Sequence, residues 1–156
     1  MPSRPRPGEP APDFEETAAD GRRVRLADYR GRKLVLYFYP RDDTPHCTRQ
    51  ACALRDDHAA IAARGAAVLG VSTQGAESHE AFSRKHRLDF ALLADVDGRV
   101  GRAYGVLGGA GFIARIRTAL GLADRVTFVI DEAGRVAHVI DRPDVDRHGA
   151  EVLALL

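Results

Sequence analysis

The chain has 156 residues, 45% of them hydrophobic and 29% charged, which suits one ordinary domain burying roughly two-thirds of its unfolded surface and excludes a fully disordered chain. Its 23 basic and 22 acidic side chains leave a net charge of +1, a balance that argues against the basic stripe of a nucleic-acid binder. Two cysteines can supply neither a disulfide-dense secreted scaffold nor a four-cysteine zinc site.

Residues 1–12 carry five of the eight prolines and no periodicity. An extended arm over residues 1–9 is expected, with Arg4 and Arg6 in a solvated tail, ahead of a single domain over residues 10–156. Phe14 to Leu26 reads as a hairpin turning at Ala19-Asp20-Gly21. The continuous apolar run Leu34 to Tyr39, closed by Pro40, reads as a central buried strand. One helix is expected over Thr44 to Arg64, a second buried strand over Ala67 to Ser72, and a charged surface helix over Ala76 to Arg87. A short strand, Phe90 to Leu93, precedes a small helix over Gly98 to Tyr104. Gly105 to Gly121 reads as a glycine-containing connector. Arg125 to Ile130 and Val136 to Ile140 form a hairpin around Asp131-Glu132-Ala133-Gly134, and Val145 to Leu156 is a closing helix. Strands alternating with helices, plus one late hairpin, describe an α/β fold with a mixed sheet and helices on both faces. No stretch approaches 18 apolar residues, so no transmembrane segment is expected. The first ten residues have no apolar core for a signal peptide, and Glu9, Asp13, Glu15 and Glu16 are out of place in a transit peptide. A cytoplasmic location follows, where a pair of thiols is more often catalytic or redox-active than structural.

The chemistry concentrates between Pro40 and Cys52. This segment follows a buried strand and opens a helix. Thr44 is a favourable N-cap residue and Pro45 suits the first helical position. Cys47 then falls at the third helical position, near unpaired backbone N–H groups and the positive end of the helix dipole, both of which favour thiolate over thiol. Cys52 lies five residues on, about 140° around the axis, so the two α-carbons of an intact helix are roughly 8 to 9 Å apart. A disulfide needs less than about 7 Å and convergent side chains, so the pair can join only if the first turns unwind. His46 and His58 lie nearby, but their spacing matches no common zinc pattern and a fourth ligand is missing. Other readings of the same residues are inert thiols in a helix, or a general disulfide oxidoreductase, against which the missing Cys-x-x-Cys counts.

Pro40-x-x-x-Thr44-x-x-Cys47 matches the peroxiredoxin active-site pattern. The longer run Tyr37 to Cys52, with the early Ala-Pro-Asp-Phe, Val68 to Ser72 and Arg125 to Asp131, resembles the bacterioferritin comigratory protein / peroxiredoxin Q branch over roughly residues 9 to 156. The resemblance implies a thioredoxin-like fold and a thiol peroxidase for hydrogen peroxide and organic hydroperoxides. Cys47 would be the peroxidatic cysteine and Cys52 the resolving one, closing an intramolecular disulfide that thioredoxin or a similar dithiol reduces. Thr44 would hydrogen-bond the peroxide, Pro40 would shield the thiolate from water, and Arg125 would hold the thiolate and polarise the peroxide. Gln50 stands where glutamate is common in the superfamily, and His46 where glycine is common. No cofactor or metal is implied, and neither nucleic acid nor membrane is an expected partner. No apolar stripe in the sequence clearly demands a partner, so a monomer is expected, with a weak dimer as the alternative. A redox sensor using the same disulfide as a switch is the non-enzymatic alternative.

Overall fold

A computed structural model describes residues 3–156. Two short strands, β1 (Glu15–Thr17) and β2 (Arg23–Arg25), pair antiparallel as the early hairpin. The main sheet has five strands: β3 (Lys33–Phe38), β4 (Ala66–Ser72), β5 (Ala91–Ala94), β6 (Val126–Ile130) and β7 (Val136–Ile140). Their order is β5-β4-β3-β6-β7, with β4 and β5 parallel to β3, and β6 and β7 forming antiparallel pairs. β3 is central because five of its six residues are buried and apolar, which only a strand covered on both faces can satisfy.

Strand periodicity splits that apolar run between two cores. Leu34, Leu36 and Phe38 point to one face, where they meet Phe14, Tyr104, Val126 and Phe128. Val35, Tyr37 and Tyr39 point to the other, with Cys47, Ala51, Leu54, Ile61 and Phe82. Helices α1 (Pro45–Asp56), α2 (His58–Ala63) and α3 (Ala76–His86) contribute to that second core, as does α6 (His148–Leu153) through Val152. The short α4 (Arg99–Ala103) contributes Val100 to the first.

Four expectations need correction. The stretch from Thr44 to Arg64 is two helices, interrupted at Asp57, where α6 docks: a Cβ on Gly149 would sit 2.7 Å from the Ala53 carbonyl oxygen. α3 is not wholly a surface helix, because His79 and Phe82 on one face are buried. The connector contains a helix, α5 (Phe112–Ala119), whose Phe112 and Ile113 are 76% and 69% exposed, with Ile116 and Leu120 beside them also exposed. So the chain does present an exposed apolar stripe, carried by a helix where a connector was expected.

The N-terminal arm, finally, is not a solvated tail at Arg4. Its backbone adds to the β7 edge through Gly8 N–H to the Val136 carbonyl (2.8 Å) and Val136 N–H to the Glu9 carbonyl (2.9 Å). That pairing covers an edge that would otherwise be open. The Arg4 guanidinium donates to Asp141 (2.6 Å) and Asp124 (3.2 Å). Its backbone lies so close to Gly105 that a Cβ there would come within 2.6 Å of the Arg4 nitrogen. Arg6 is exposed and bonds Glu9.

Candidate active site

β3 delivers the chain to a loop over residues 39–44 and then to the N-terminus of α1, a βα turn at the carboxyl end of a central strand, where α/β sheets place their sites. Thr44 is the N-cap by backbone conformation, and Pro45 is the first helical residue. The Thr44 hydroxyl does not cap the helix; it donates to the Arg41 carbonyl (3.1 Å). Pro40 is half-buried at the start of the loop. Cys47 is 1% exposed and sits in the first turn, where backbone N–H groups have no intrahelical acceptor.

Arg125 reaches this sulfur for a topological reason. β6 runs antiparallel to β3 with Val126 opposite Phe38, so residue 125 arrives beside the end of β3. Alternation puts Arg125 on the same face as Thr127, which pairs with Tyr37, and that face carries α1. The guanidinium is a fork: one Nη donates to the Cys47 Sγ (3.2 Å) and the other to the Gln50 Oε1 (2.6 Å). Gln50 is fully buried one turn after Cys47, so it fixes the fork's orientation without adding charge. Such an arrangement complements negative charge on sulfur and on any oxygen held beside it.

Cys52 is half-buried, and both cysteines are free thiols. α1 is unbroken through both, the state in which the spacing argument keeps them apart. His46 is exposed, and its Nδ1 accepts from an Arg49 Nη (2.6 Å), while Arg49 pairs with Asp146 (3.0 Å). His58 pairs with Asp89 instead (2.9 Å). The two histidines therefore do not converge on a metal. Among the described residues an acidic trio, Glu16, Asp95 and Asp97, brings three carboxylates within 4.8 Å, but Asp95 already accepts the Val100 and Gly101 amides.

Sequence reading missed the groups that hold the loop. Asp42 accepts from Tyr39 (2.6 Å), Ser78 (2.7 Å) and the buried His79 Nδ1 (2.6 Å), while its amide donates to Gln74 (2.9 Å). The other His79 nitrogen meets the Leu93 carbonyl (2.9 Å), so both ring nitrogens face oxygens that accept. Burial alone would push the Asp42 carboxyl up; the hydrogen bonds from His79, Tyr39 and Ser78 override it and hold it below the usual range. Asp43, at a left-handed φ of 58°, pairs with Lys85 (2.7 Å) and His86 (3.1 Å). The loop is thereby tied to α3 at two successive residues. Behind Arg125, the buried His148 joins Thr127 (2.8 Å) to Glu151 (2.9 Å), and burial pushes its ionisation down. Paired polar residues between Pro40 and Thr44, with a histidine in the next helix, were the available signal, but nothing local marked them as partners.

The chain matches a known family. Residues 7–139 match the model of the AhpC/TSA family. Peroxiredoxin Bcp of Bacillus subtilis is 38% identical over 153 residues, covering 96% of this chain and 93% of that protein. The chain belongs to the AhpC/TSA family. The peroxidoxin BcpB structure from Mycobacterium tuberculosis has a TM-score of 0.85 at 33% identity, covering 97% of this chain and 96% of that one. The bacterioferritin comigratory protein of Xanthomonas campestris matches with a TM-score of 0.81 at 29% identity, over 90% and 88% of the two chains. The fold is thus the thioredoxin-like α/β fold of peroxiredoxins, and the activity class is that of a thiol peroxidase. No helix among the described residues is long and apolar enough to cross a membrane.

Proposed function

We propose that this peroxiredoxin reduces hydroperoxides with Cys47, resolves the product with Cys52, and is recycled in the cytoplasm by thioredoxin or a similar dithiol. The observation that carries the reading is the Arg125 fork, one arm on the Cys47 sulfur at 3.2 Å and the other on Gln50 at 2.6 Å. Arg125 would hold the thiolate and polarise the peroxide. In the first step the Cys47 thiolate attacks one peroxide oxygen: an S–O bond forms, the O–O bond breaks, and the leaving oxygen departs with a proton as water or alcohol. Charge grows on that oxygen in the transition state, where preset donors act most strongly. The donors are the Arg125 guanidinium, the first-turn amides of α1, and the Thr44 hydroxyl once it exchanges the Arg41 carbonyl for the peroxide. Pro40 has no N–H and limits water at the sulfur.

In the second step the Cys52 sulfur attacks the Cys47 sulfenic acid, an S–S bond replaces the S–O bond, and water leaves. The helix must unwind for this, by the distance argument. An external dithiol then exchanges the disulfide. The Xanthomonas campestris relative is described for its alkyl peroxide reduction activity, which supports organic hydroperoxides among the substrates. Residues 10–156 act as one domain, with residues 1–9 as its arm. The test is peroxide consumption by the Cys47→Ser protein with thioredoxin, thioredoxin reductase and NADPH supplied. Activity should be lost; a wild-type rate would remove Cys47 from the chemistry.

A further inference from the structure

Two tyrosines leave β3 on the same face and stack at 5.4 Å, yet their hydroxyls fare oppositely. Tyr39 donates to Asp42 at 2.6 Å. Tyr37 is 1% exposed, and its hydroxyl has no hydrogen-bond partner among the described residues. Its ring is held in place by the edge of Phe90, with centroids 6.0 Å apart. On the β4 side it lies over Gly70, its direct register partner, where a Cβ would come within 2.9 Å of the ring carbons Cε1 and Cζ. A glycine in the middle of β4 makes the room that this ring occupies. Tyr37 shares its buried cluster with Cys47, Ala51 and Leu54, the inner residues of α1. Burial, and then the nearby Cys47, push the phenol's ionisation well up, with Cys52 acting in the same sense.

A phenylalanine would fill the same space without this cost, and the same cluster uses phenylalanine at positions 82 and 90. A buried hydroxyl without a partner destabilises the state in which it is buried. That state is the one with α1 intact. Because Tyr37 shares its buried cluster with Cys47, Ala51 and Leu54 of α1, unwinding the first turns would open that cluster and let water reach the hydroxyl. We propose that Tyr37 biases α1 towards unwinding and so sets the rate at which Cys52 resolves the Cys47 sulfenic acid. The proposal rests on the disulfide chemistry above: the S–S bond forms, the S–O and S–H bonds break, and the oxygen leaves as water with the thiol proton. Tyr37 is a positioning residue, acting through the helix rather than on the peroxide.

Tyr37→Phe removes the hydroxyl and keeps the ring contacts. In rapid-quench mass spectrometry with one equivalent of hydrogen peroxide, the first oxidation should stay within twofold of wild type. Conversion of the sulfenic acid to the disulfide should slow at least fivefold. With peroxide in excess, more protein should reach the sulfinic acid, because resolution no longer outruns a second oxidation. Hydrogen exchange on the fully reduced proteins reads the same bias without chemistry: α1 amides should exchange at least fivefold more slowly in Tyr37→Phe. Tyr39→Phe is the contrasting variant and should lower stability, since it strands Asp42 of a donor. Unchanged or faster α1 exchange in Tyr37→Phe, or a variant less stable than wild type, overturns the proposal. If wild type forms no Cys47–Cys52 disulfide, the resolving scheme fails instead, and exchange still decides whether Tyr37 loosens α1.

Discussion

Replacing Arg125 separates the guanidinium's charge from its shape. The guanidinium lies 3.2 Å from the Cys47 sulfur, where two opposite unit charges interact by about 5 kcal/mol at an effective dielectric of about 20. That figure is a ceiling, because water and the first-turn amides compensate part of it. Removing one preset donor from a developing oxyanion typically costs about 10²–10³ in rate, or roughly 2.7–4 kcal/mol. Arg125→Ala should therefore slow the first oxidation by about 10² or more. Arg125→Lys keeps a charge, but one compact ammonium cannot serve the Cys47 sulfur and the Gln50 oxygen with the geometry of a planar fork. Its loss should be smaller, about tenfold, on the scale of one hydrogen bond to a charged group. The assay is a single turnover of reduced protein with hydrogen peroxide, following Cys47 oxidation by quenched mass spectrometry. An Arg125→Ala rate within threefold of wild type would refute the reasoning, whatever the overall turnover.

Three further outcomes are expected. Asp42→Ala should cost about 1–3 kcal/mol in urea unfolding, because it leaves the buried His79 Nδ1 and the Tyr39 hydroxyl without the carboxylate they share. The Asp42 carboxyl is held low in the folded chain, so its contribution is full above the unfolded value near 3.9 and is lost as pH falls through the folded one; the variant should lack that acid limb. His148 works with the opposite charge: burial lowers its folded value, so below about pH 6.5 the unfolded chain takes up a proton that the folded chain refuses. Stability should fall from that pH downward by up to about 1.4 kcal/mol per unit, and a His148→Gln protein should lose the slope. Gly105→Ala combines a φ of 69° with a Cβ pressed against the Arg4 backbone, so it should release the arm and speed proteolysis near residues 4–8 without changing the first oxidation rate.

What was legible in the sequence was local or periodic. The run from Leu34 to Tyr39 announced β3, and Thr44-Pro45 announced the start of α1, because caps and apolar runs act over a few residues. Cys47 followed from that helix start, while Arg125 needed the family pattern, since its reach depends on an antiparallel pairing 78 residues away in sequence. Contacts with no local signature stayed hidden. Asp42 and His79 are 37 residues apart, and Arg4 and Asp141 are 137 apart. The interruption at Asp57 was invisible because Asp57 continues the helical pattern; a glycine in α6 creates the dock. α5 was concealed by flanking glycines, which read as loop although eight of the nine residues between them form a helix.

The most direct measurement is the intact mass of fully reduced protein after one equivalent of hydrogen peroxide. A loss of about 2 Da, mapped to Cys47 joined to Cys52, is the expected result and carries both attack and resolution. A gain of about 16 Da would keep Cys47 as the attacking thiol and contradict the role given to Cys52. No change within minutes would contradict the central claim that the start of α1 and the Arg125 fork activate Cys47.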